Sequence, residues 1–397
     1  MRLAGGTRIG IVGTGWLSRH FLMSLDRHRD MSAARVLTRR PVEACGGFPR
    51  PDLLTRSVDD LLDRVDVVVE CSGDPLHAAD VVAAAFAAGL PVVTMDAEFH
   101  VTCGSWFVGR GLMTEAAGDQ PGSLALLARE VRAMGFEPLV YGNMKGFLNR
   151  DPTPDEMAHW AARQGISVPM VTSFTDGTKV QAEQVLVANG LGAAIARPGL
   201  AGPAAADLQS GADLLCAEAD RIGRPVADYV LARGLPHGVF VAARHDGRHR
   251  DALRYLKMGD GPNYVVVRPA VLAYLEIAST IRELLDEGRI LLDNGSRPEA
   301  SVAAVAKRAL EPGELVERGA GSFAVRGEAV RVEDAPGHLP IGLMQDARVR
   351  RRVPAGEVVA LDDVELPESL ALRAWLETEA AVLSDAAARR PRAAAGG

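Results

Sequence analysis

A strand that runs into a glycine turn and out into a helix is the feature that most constrains this chain: Gly10-Ile11-Val12-Gly13-Thr14-Gly15-Trp16-Leu17-Ser18. Gly13 permits a tight turn, Gly15 leaves the backbone bare where a charged group can approach, and the N–H groups of the next helix turn point at that spot. Ser18 stands where a third Gly or Ala is usual, and is still small enough for helix and strand to pack closely. Further along, Ala34 to Thr38, Val65 to Cys71 and Pro91 to Met95 read as strands, and Trp16 to Asp26 and His77 to Ala88 as helices, the latter closed by Gly89. Strands alternating with crossover helices predict a parallel doubly wound sheet. In that setting the glycine turn predicts a cradle for a dinucleotide pyrophosphate, contacted by Gly13, Thr14, Gly15, Trp16 and Leu17.

The end of the second strand decides which dinucleotide is expected. An Asp or Glu there accepts from the ribose 2′-hydroxyl of NAD(H); this chain has Thr38-Arg39-Arg40. Guanidinium forks match phosphate oxygens, so NADP(H) is favoured over NAD(H). Cys71-Ser72-Gly73 closes the third strand where ribose and nicotinamide would pass, and Asp74-Pro75 turns into the next helix.

At 397 residues the chain exceeds one ordinary core. The expected division is a Rossmann unit over 1–125, an α+β substrate unit over 126–299, a small β-rich module over 300–370, and a disordered Ala/Arg/Pro/Gly tail over 386–397. The turn-rich Gly118-Asp119-Gln120-Pro121-Gly122-Ser123 leads into a helix near the first boundary. Pro312-Gly313-Glu314 and Pro354-Ala355-Gly356-Glu357 punctuate the third unit. The fold class is therefore α/β with added α+β and β-rich parts. No apolar run approaches the roughly 20 residues that span a bilayer. A net charge of −7 argues against nucleic acid as a partner. Cys45, Cys71, Cys103 and Cys216 show neither disulfide nor metal-ligand spacing. The first residues lead directly into a strand, and a cytoplasmic protein with a small-molecule substrate and no metal is expected.

Three polar phrases carry the candidate chemistry. Tyr141-Gly142-Asn143-Met144-Lys145-Gly146 places a lysine between glycines after an extended run near Leu139. In Ser173-Phe174-Thr175-Asp176-Gly177-Thr178-Lys179, a helix opening at Lys179 brings Glu183 one turn later onto the same face. Arg254-Tyr255-Leu256-Lys257-Met258-Gly259-Asp260-Gly261-Pro262-Asn263-Tyr264 reads as a turn before a strand. Hydride transfer needs a group that exchanges a proton with the substrate oxygen, which a lysine or a lysine/carboxylate pair provides. Lys145 and Lys179 are the leading candidates, with Asp176 and Glu183 as charge partners and Lys257 third.

Taken with the Gly118 to Gly122 loop, the Ser173 to Lys179 and Leu253 to Pro262 phrases resemble the homoserine dehydrogenase-like oxidoreductases that carry a C-terminal SAF domain. The resemblance runs from Arg8 to about Leu370. It implies a Rossmann domain, a substrate domain like that of homoserine dehydrogenase, and a SAF module matching Val305-Ala306-Lys307-Arg308-Ala309-Leu310-Glu311-Pro312-Gly313-Glu314. The leading reading is an NADPH-dependent oxidoreductase that reduces, or reversibly oxidises, a small polar hydroxy-carbonyl compound, phosphorylated or not, and since related substrate domains pair through their sheets the resemblance also implies a homo-oligomer. A branch of the group looks like the reductoisomerase acting on 1-deoxy-D-xylulose 5-phosphate, which is the alternative reaction. A third reading is a non-catalytic dinucleotide- and carbohydrate-binding regulator. Ala97 stands where homoserine dehydrogenases carry a lysine, and Asn143 where relatives tend to carry one, so a substrate other than homoserine is implied.

Overall fold

The computed structural model describes residues 6–389. Six parallel strands form the first sheet: β1 (Thr7–Val12), β2 (Met31–Leu37), β3 (Leu54–Thr55), β4 (Val67–Glu70), β5 (Val92–Thr94) and β6 (Met113–Glu115). Their spatial order is β3-β2-β1-β4-β5-β6, the doubly wound arrangement with its switch point between β1 and β4. Val67, Val68 and Val69 are fully buried, as an unbroken apolar run requires when helices cover both faces of a strand. The helix Pro75–Ala87 starts where the Asp74 carboxylate accepts from the N–H groups of Leu76 and His77. Strands β3 and β6, two and three residues long, have no pattern of their own in the sequence.

The second sheet has the order β10-β9-β7-β8, from β7 (Glu137–Lys145), β8 (Val226–Leu231), β9 (Val239–Arg244) and β10 (Tyr264–Arg268). Strand β7 pairs parallel with β8 and antiparallel with β9. Its Val140 and Met144 pack with Leu215 and Cys216 of the helix Leu208–Ile222 on one face. Alternation turns Tyr141, Asn143 and Lys145 to the other face, toward the helices Gln120–Ala133 and Thr178–Leu191. The turn-rich phrase at Gly118 is thus shorter than its composition suggests, with the helix already begun at Gln120 and Pro121 in its first turn.

The strand Ala300–Ala306, buried along its length, pairs antiparallel with Val325–Arg331. Three shorter strands, Leu315–Val316, Ala347–Val349 and Val364–Glu365, form a second small sheet. This β-rich module packs on the helix Thr178–Leu191. Two helices return to the first unit. Ile277–Glu287 buries Ile277, Ala278, Ile281 and Leu284 in the cluster that holds Ile9 and Val36, and Arg282 pairs with Asp30 at 2.8 Å. Leu370–Arg389 packs on Pro75–Ala87 and on the segment 100–107, with Trp375 buried and Trp106 Nε1 donating to Glu377 at 2.6 Å. Residues 386–389, expected to begin a disordered tail, are the last turn of this helix, because Ala386 is buried on its packed face. The remainder of that expected tail lies outside the described residues.

Candidate active site

The glycine turn is built as its residues dictate. Gly13 has φ +104°, and a Cβ there would come within 2.9 Å of the Cys71 carbonyl oxygen; only glycine fits both the angle and the approach of β1 to the end of β4. At Gly15 a Cβ would meet nothing within 4 Å. Gly15 is also the N-cap of the nine-residue helix Trp16–Ser24, and no side chain caps it. The first N–H groups of that helix therefore face open space, an arrangement that accepts an anion. Ser18 is buried against the sheet.

A cleft of about 560 Å³ opens from this turn, lined by Gly13 to Trp16, Arg19, Thr38, Arg39 and Arg40 among others. The Thr38 hydroxyl is buried and accepts from Arg40 N at 3.2 Å. Arg40 Nη2 donates to Thr14 Oγ1 at 2.8 Å, and Arg39 pairs with Asp74 at 2.7 Å while more than half of its side chain is exposed. A dinucleotide fits this donor set: pyrophosphate at Gly15 and the Trp16 turn, adenosine ribose at Thr38 to Arg40.

Past Gly15 and Trp16 the space continues into a second cleft of about 420 Å³. Leu17, Cys71, Ser72 and Gly73 line it, with Asp96, Glu98, Asp119 and Lys179 further in, and Arg318 and Gln345 reach it from the β-rich module. Lys179 Nζ donates to Asp119 Oδ2 at 3.0 Å and lies 3.7 Å from Glu98. Burial works against its charge, but Asp119, Glu98 and Glu183 together hold its amine well above the ordinary lysine range. Asp96 shows the converse: burial, with Glu70 and Glu98 beside it, pushes its carboxyl well up.

Behind Asp119 lies a buried pair. Glu183 accepts from Asn143 Nδ2 at 2.6 Å and lies 3.6 Å from Lys145 Nζ. Burial raises its carboxyl to about 7 despite the attraction of Lys145. The Gln120 amide bridges this pair to the cleft when its nitrogen faces Glu183 Oε1 (3.2 Å) and Asp119 Oδ1 (2.5 Å) and its oxygen accepts from His237 Nε2 (2.8 Å). A continuous polar chain thus runs from Lys179 through Asp119 and Gln120 to Glu183 and Lys145.

The structure brings Lys179, Glu183 and Lys145 together, with Lys179 alone of the three on the cleft wall. Asp176 is not their charge partner. It sits with Gly177 in the break between two helices and pairs at 2.7 Å with Lys307 of the β-rich module. Lys257 is exposed at φ +65° beside the turn before β10, away from both clefts. Sequence reasoning missed Glu98, Asp119, Gln120, Asn143, His237 and Arg318 as site residues. Asp119 and Gln120 sat in a phrase read as loop, and Asn143 follows from alternation along β7; nothing local marks Glu98, His237 or Arg318. Among the described residues no cluster of His, Cys, Asp and Glu has metal-ligand geometry, and no helix is long and apolar enough to cross a membrane.

Residues 9–101 match the model of the homoserine dehydrogenase NAD-binding domain, and residues 118–277 that of the catalytic domain of oxidoreductase DRL. The chain is an NAD(P)-dependent oxidoreductase. No curated protein matches it. Solved structures similar to it include UDP-N-acetylglucosamine 3-dehydrogenase GnnA from Acidithiobacillus ferrooxidans (16% identity over 73% of this chain and 92% of that one, TM-score 0.41). A putative myo-inositol dehydrogenase from Sinorhizobium meliloti (13%, 71% and 90%, 0.40) and a dihydrodipicolinate reductase from Paenisporosarcina (11%, 71% and 95%, 0.37) are others.

Proposed function

We propose that this oxidoreductase uses NADPH to reduce, or reversibly oxidises with NADP, a small polar hydroxy-carbonyl compound that carries an anionic group. The observation that carries this reading is the placement of Lys179 on the wall of a cleft continuous with the glycine turn, flanked by Asp119 and Glu98. The dinucleotide, when bound, supplies or accepts the hydride. Lys179, held protonated by its carboxylates, donates a hydrogen bond to the substrate oxygen and stabilises negative charge as it develops there. An amine held so far above neutrality is a poor proton donor. Glu183, near 7, suits proton exchange at neutral pH, and Gln120 and Asp119 link it to the cleft. Thr38, Arg39 and Arg40 support the preference for NADP(H) through the 2′-phosphate.

Arg318 supports the anionic substrate. Among the described residues it makes no ion pair, whereas Arg39 and Lys179, the other cations on this cleft, already face carboxylates. The module bearing it, read as SAF-like, then forms a wall of the substrate site. A free guanidinium also suits a sugar phosphate, which favours reductoisomerisation of the 1-deoxy-D-xylulose 5-phosphate type as a second reading. The test is a screen of hydroxy acids, keto-sugars and sugar phosphates, following NADPH absorbance, with product skeletons read by NMR. Turnover that survives Lys179→Met would sink the assignment of Lys179, and an unrearranged product would sink the second reading.

A further inference from the structure

The helix Thr178–Leu191 carries both Lys179 and Glu183, yet its start lacks ordinary support. Its N-cap is Gly177, at φ +90° with no side chain to offer, and its first turn has no acidic residue to meet the helix dipole. Instead it contains the Lys179 cation, which the dipole disfavours. The missing cap comes from one residue earlier: Asp176 Oδ1 accepts from Thr178 N at 2.8 Å. The other oxygen, Oδ2, is held at 2.7 Å by Lys307 Nζ. Lys307 is fixed in turn, its Nζ donating to Ser322 O at 2.6 Å and its backbone N–H to Ala324 O at 2.9 Å. Both side chains of the pair are nearly sealed from water, at 5% and 0% exposure. The same turn is gripped a second time, where Gly327 N donates to Thr178 Oγ1 at 2.9 Å. Asp176 also ends the helix Val168–Thr175, whose Met170, Ser173 and Phe174 line the cleft.

We propose that Lys307 is a positioning residue for the reaction: through Asp176 it caps the first turn of the Thr178–Leu191 helix and so holds Lys179 against Asp119 and Glu98. The β-rich module is then a working part of the active site and not an appended binding domain. A buried pair costs desolvation energy that well-packed apolar residues would avoid, and a cap-setting duty accounts for its presence at this joint. For turnover the inference rests on the reading of Lys179 given above, so its test also uses a chemical readout that needs no substrate.

The full chain and the variant Lys307→Met would be treated with limiting acetic anhydride across pH 7–10, and the labelling of Lys179 followed by peptide mass spectrometry. The groups facing this amine are Glu98, Asp119 and Glu183, with Lys145 and His237 beyond them. Release of the first turn moves Lys179 away from the carboxylates, and each unit its pKa falls raises the reactive free amine about tenfold at a given pH. The expected result is labelling at least about tenfold faster in Lys307→Met, with faster deuterium uptake at amides 178–181. Where an NADPH-coupled substrate is in hand, kcat falls and the alkaline limb of its pH profile moves to lower pH, while NADPH affinity is unchanged. The control is Asn189→Ala. Asn189 ties the module to the far end of the same helix through Ala300 and Asn294, so its loss weakens docking without touching the cap. Should Lys307→Met fold poorly, Asp176→Asn with Lys307→Met removes both charges and is expected to keep the raised Lys179 reactivity. Wild-type reactivity in both variants, or an equal rise in Asn189→Ala, overturns the proposal. A wild-type chain that turns over nothing in the screen refutes the functional reading alone, because labelling still decides this one.

Discussion

The two glycines of the nucleotide turn are expected to fail in opposite ways when each is replaced by alanine. At Gly15 the backbone is ordinary, φ −77° and ψ −170°, and a Cβ meets no atom within 4 Å. Gly15→Ala therefore leaves the fold intact and shifts stability by less than about 1 kcal/mol, since the narrower unfolded ensemble offsets the poorer N-cap. The new methyl instead occupies the space into which the helix N–H groups point. Loss of one charge-assisted hydrogen bond to the pyrophosphate, about 1.5–3 kcal/mol, weakens dinucleotide binding roughly 10- to 150-fold. Gly13→Ala is the reverse case. Its φ of +104° costs an L residue about 1–3 kcal/mol, and the methyl would lie 2.9 Å from the Cys71 oxygen and 3.1 Å from the Ser72 Cα. Both contacts are backbone and cannot swing aside. The assay is thermal unfolding of each variant without cofactor, paired with NADPH titration by fluorescence. Tight NADPH binding by Gly15→Ala, or a melting temperature for Gly13→Ala equal to that of wild type, would refute the geometry argued for this turn.

Three other outcomes follow from the charges. Arg39→Ala combined with Arg40→Ala is expected to raise the Kd for NADPH at least tenfold and leave that for NADH within about twofold, and equal weakening of both cofactors in titrations would remove the case for a 2′-phosphate site. Lys179→Met leaves the half-buried Asp119 and Glu98 on the cleft wall without their cation, which costs on the order of 1–3 kcal/mol at neutral pH. Urea unfolding at neutral pH reads the loss, and a variant as stable as wild type would mean that the cation does not hold these carboxylates. Glu183 has a folded pKa raised to about 7, principally by burial, above its unfolded value near 4.3. Its contribution is complete below the unfolded value and lost as pH rises through 7, by an amount on the order of 3 kcal/mol. Glu183→Gln should therefore flatten the stability profile between pH 5 and pH 8; an unchanged profile would mean that the carboxyl is not desolvated.

Much of the first sheet could be read in the amino acids because its signals are local. The fully buried runs at Ile9 and Val67, the Asp74-Pro75 start and the Gly89 stop each act within a few residues. Strands β3 and β6 could not be read, since they are held by their neighbours and not by a pattern. The two lysines stood out for similar reasons, both lying in glycine-flanked phrases. What surrounds them did not, because Asp119, Glu98 and Arg318 arrive from three separate parts of the chain. Asp176 illustrates the limit: its spacing from Lys179 suggested one partner, and the fold supplies Lys307, 131 residues away. Asn143 was more accessible than it seemed, since the alternation that buries Tyr141 places it and Lys145 on one face of β7.

The helix Leu370–Arg389 lies against surface laid down by Pro75–Ala87 and 100–107. A ribosome adding about 5–20 residues per second needs roughly 13–50 s to pass from residue 107 to residue 370. Throughout that interval the nascent first domain shows bare the apolar ground on which Trp375, Ala371 and Ala374 later rest. The first domain is fastened only when this helix arrives, and until then that ground is open to aggregation or chaperone capture on the ribosome.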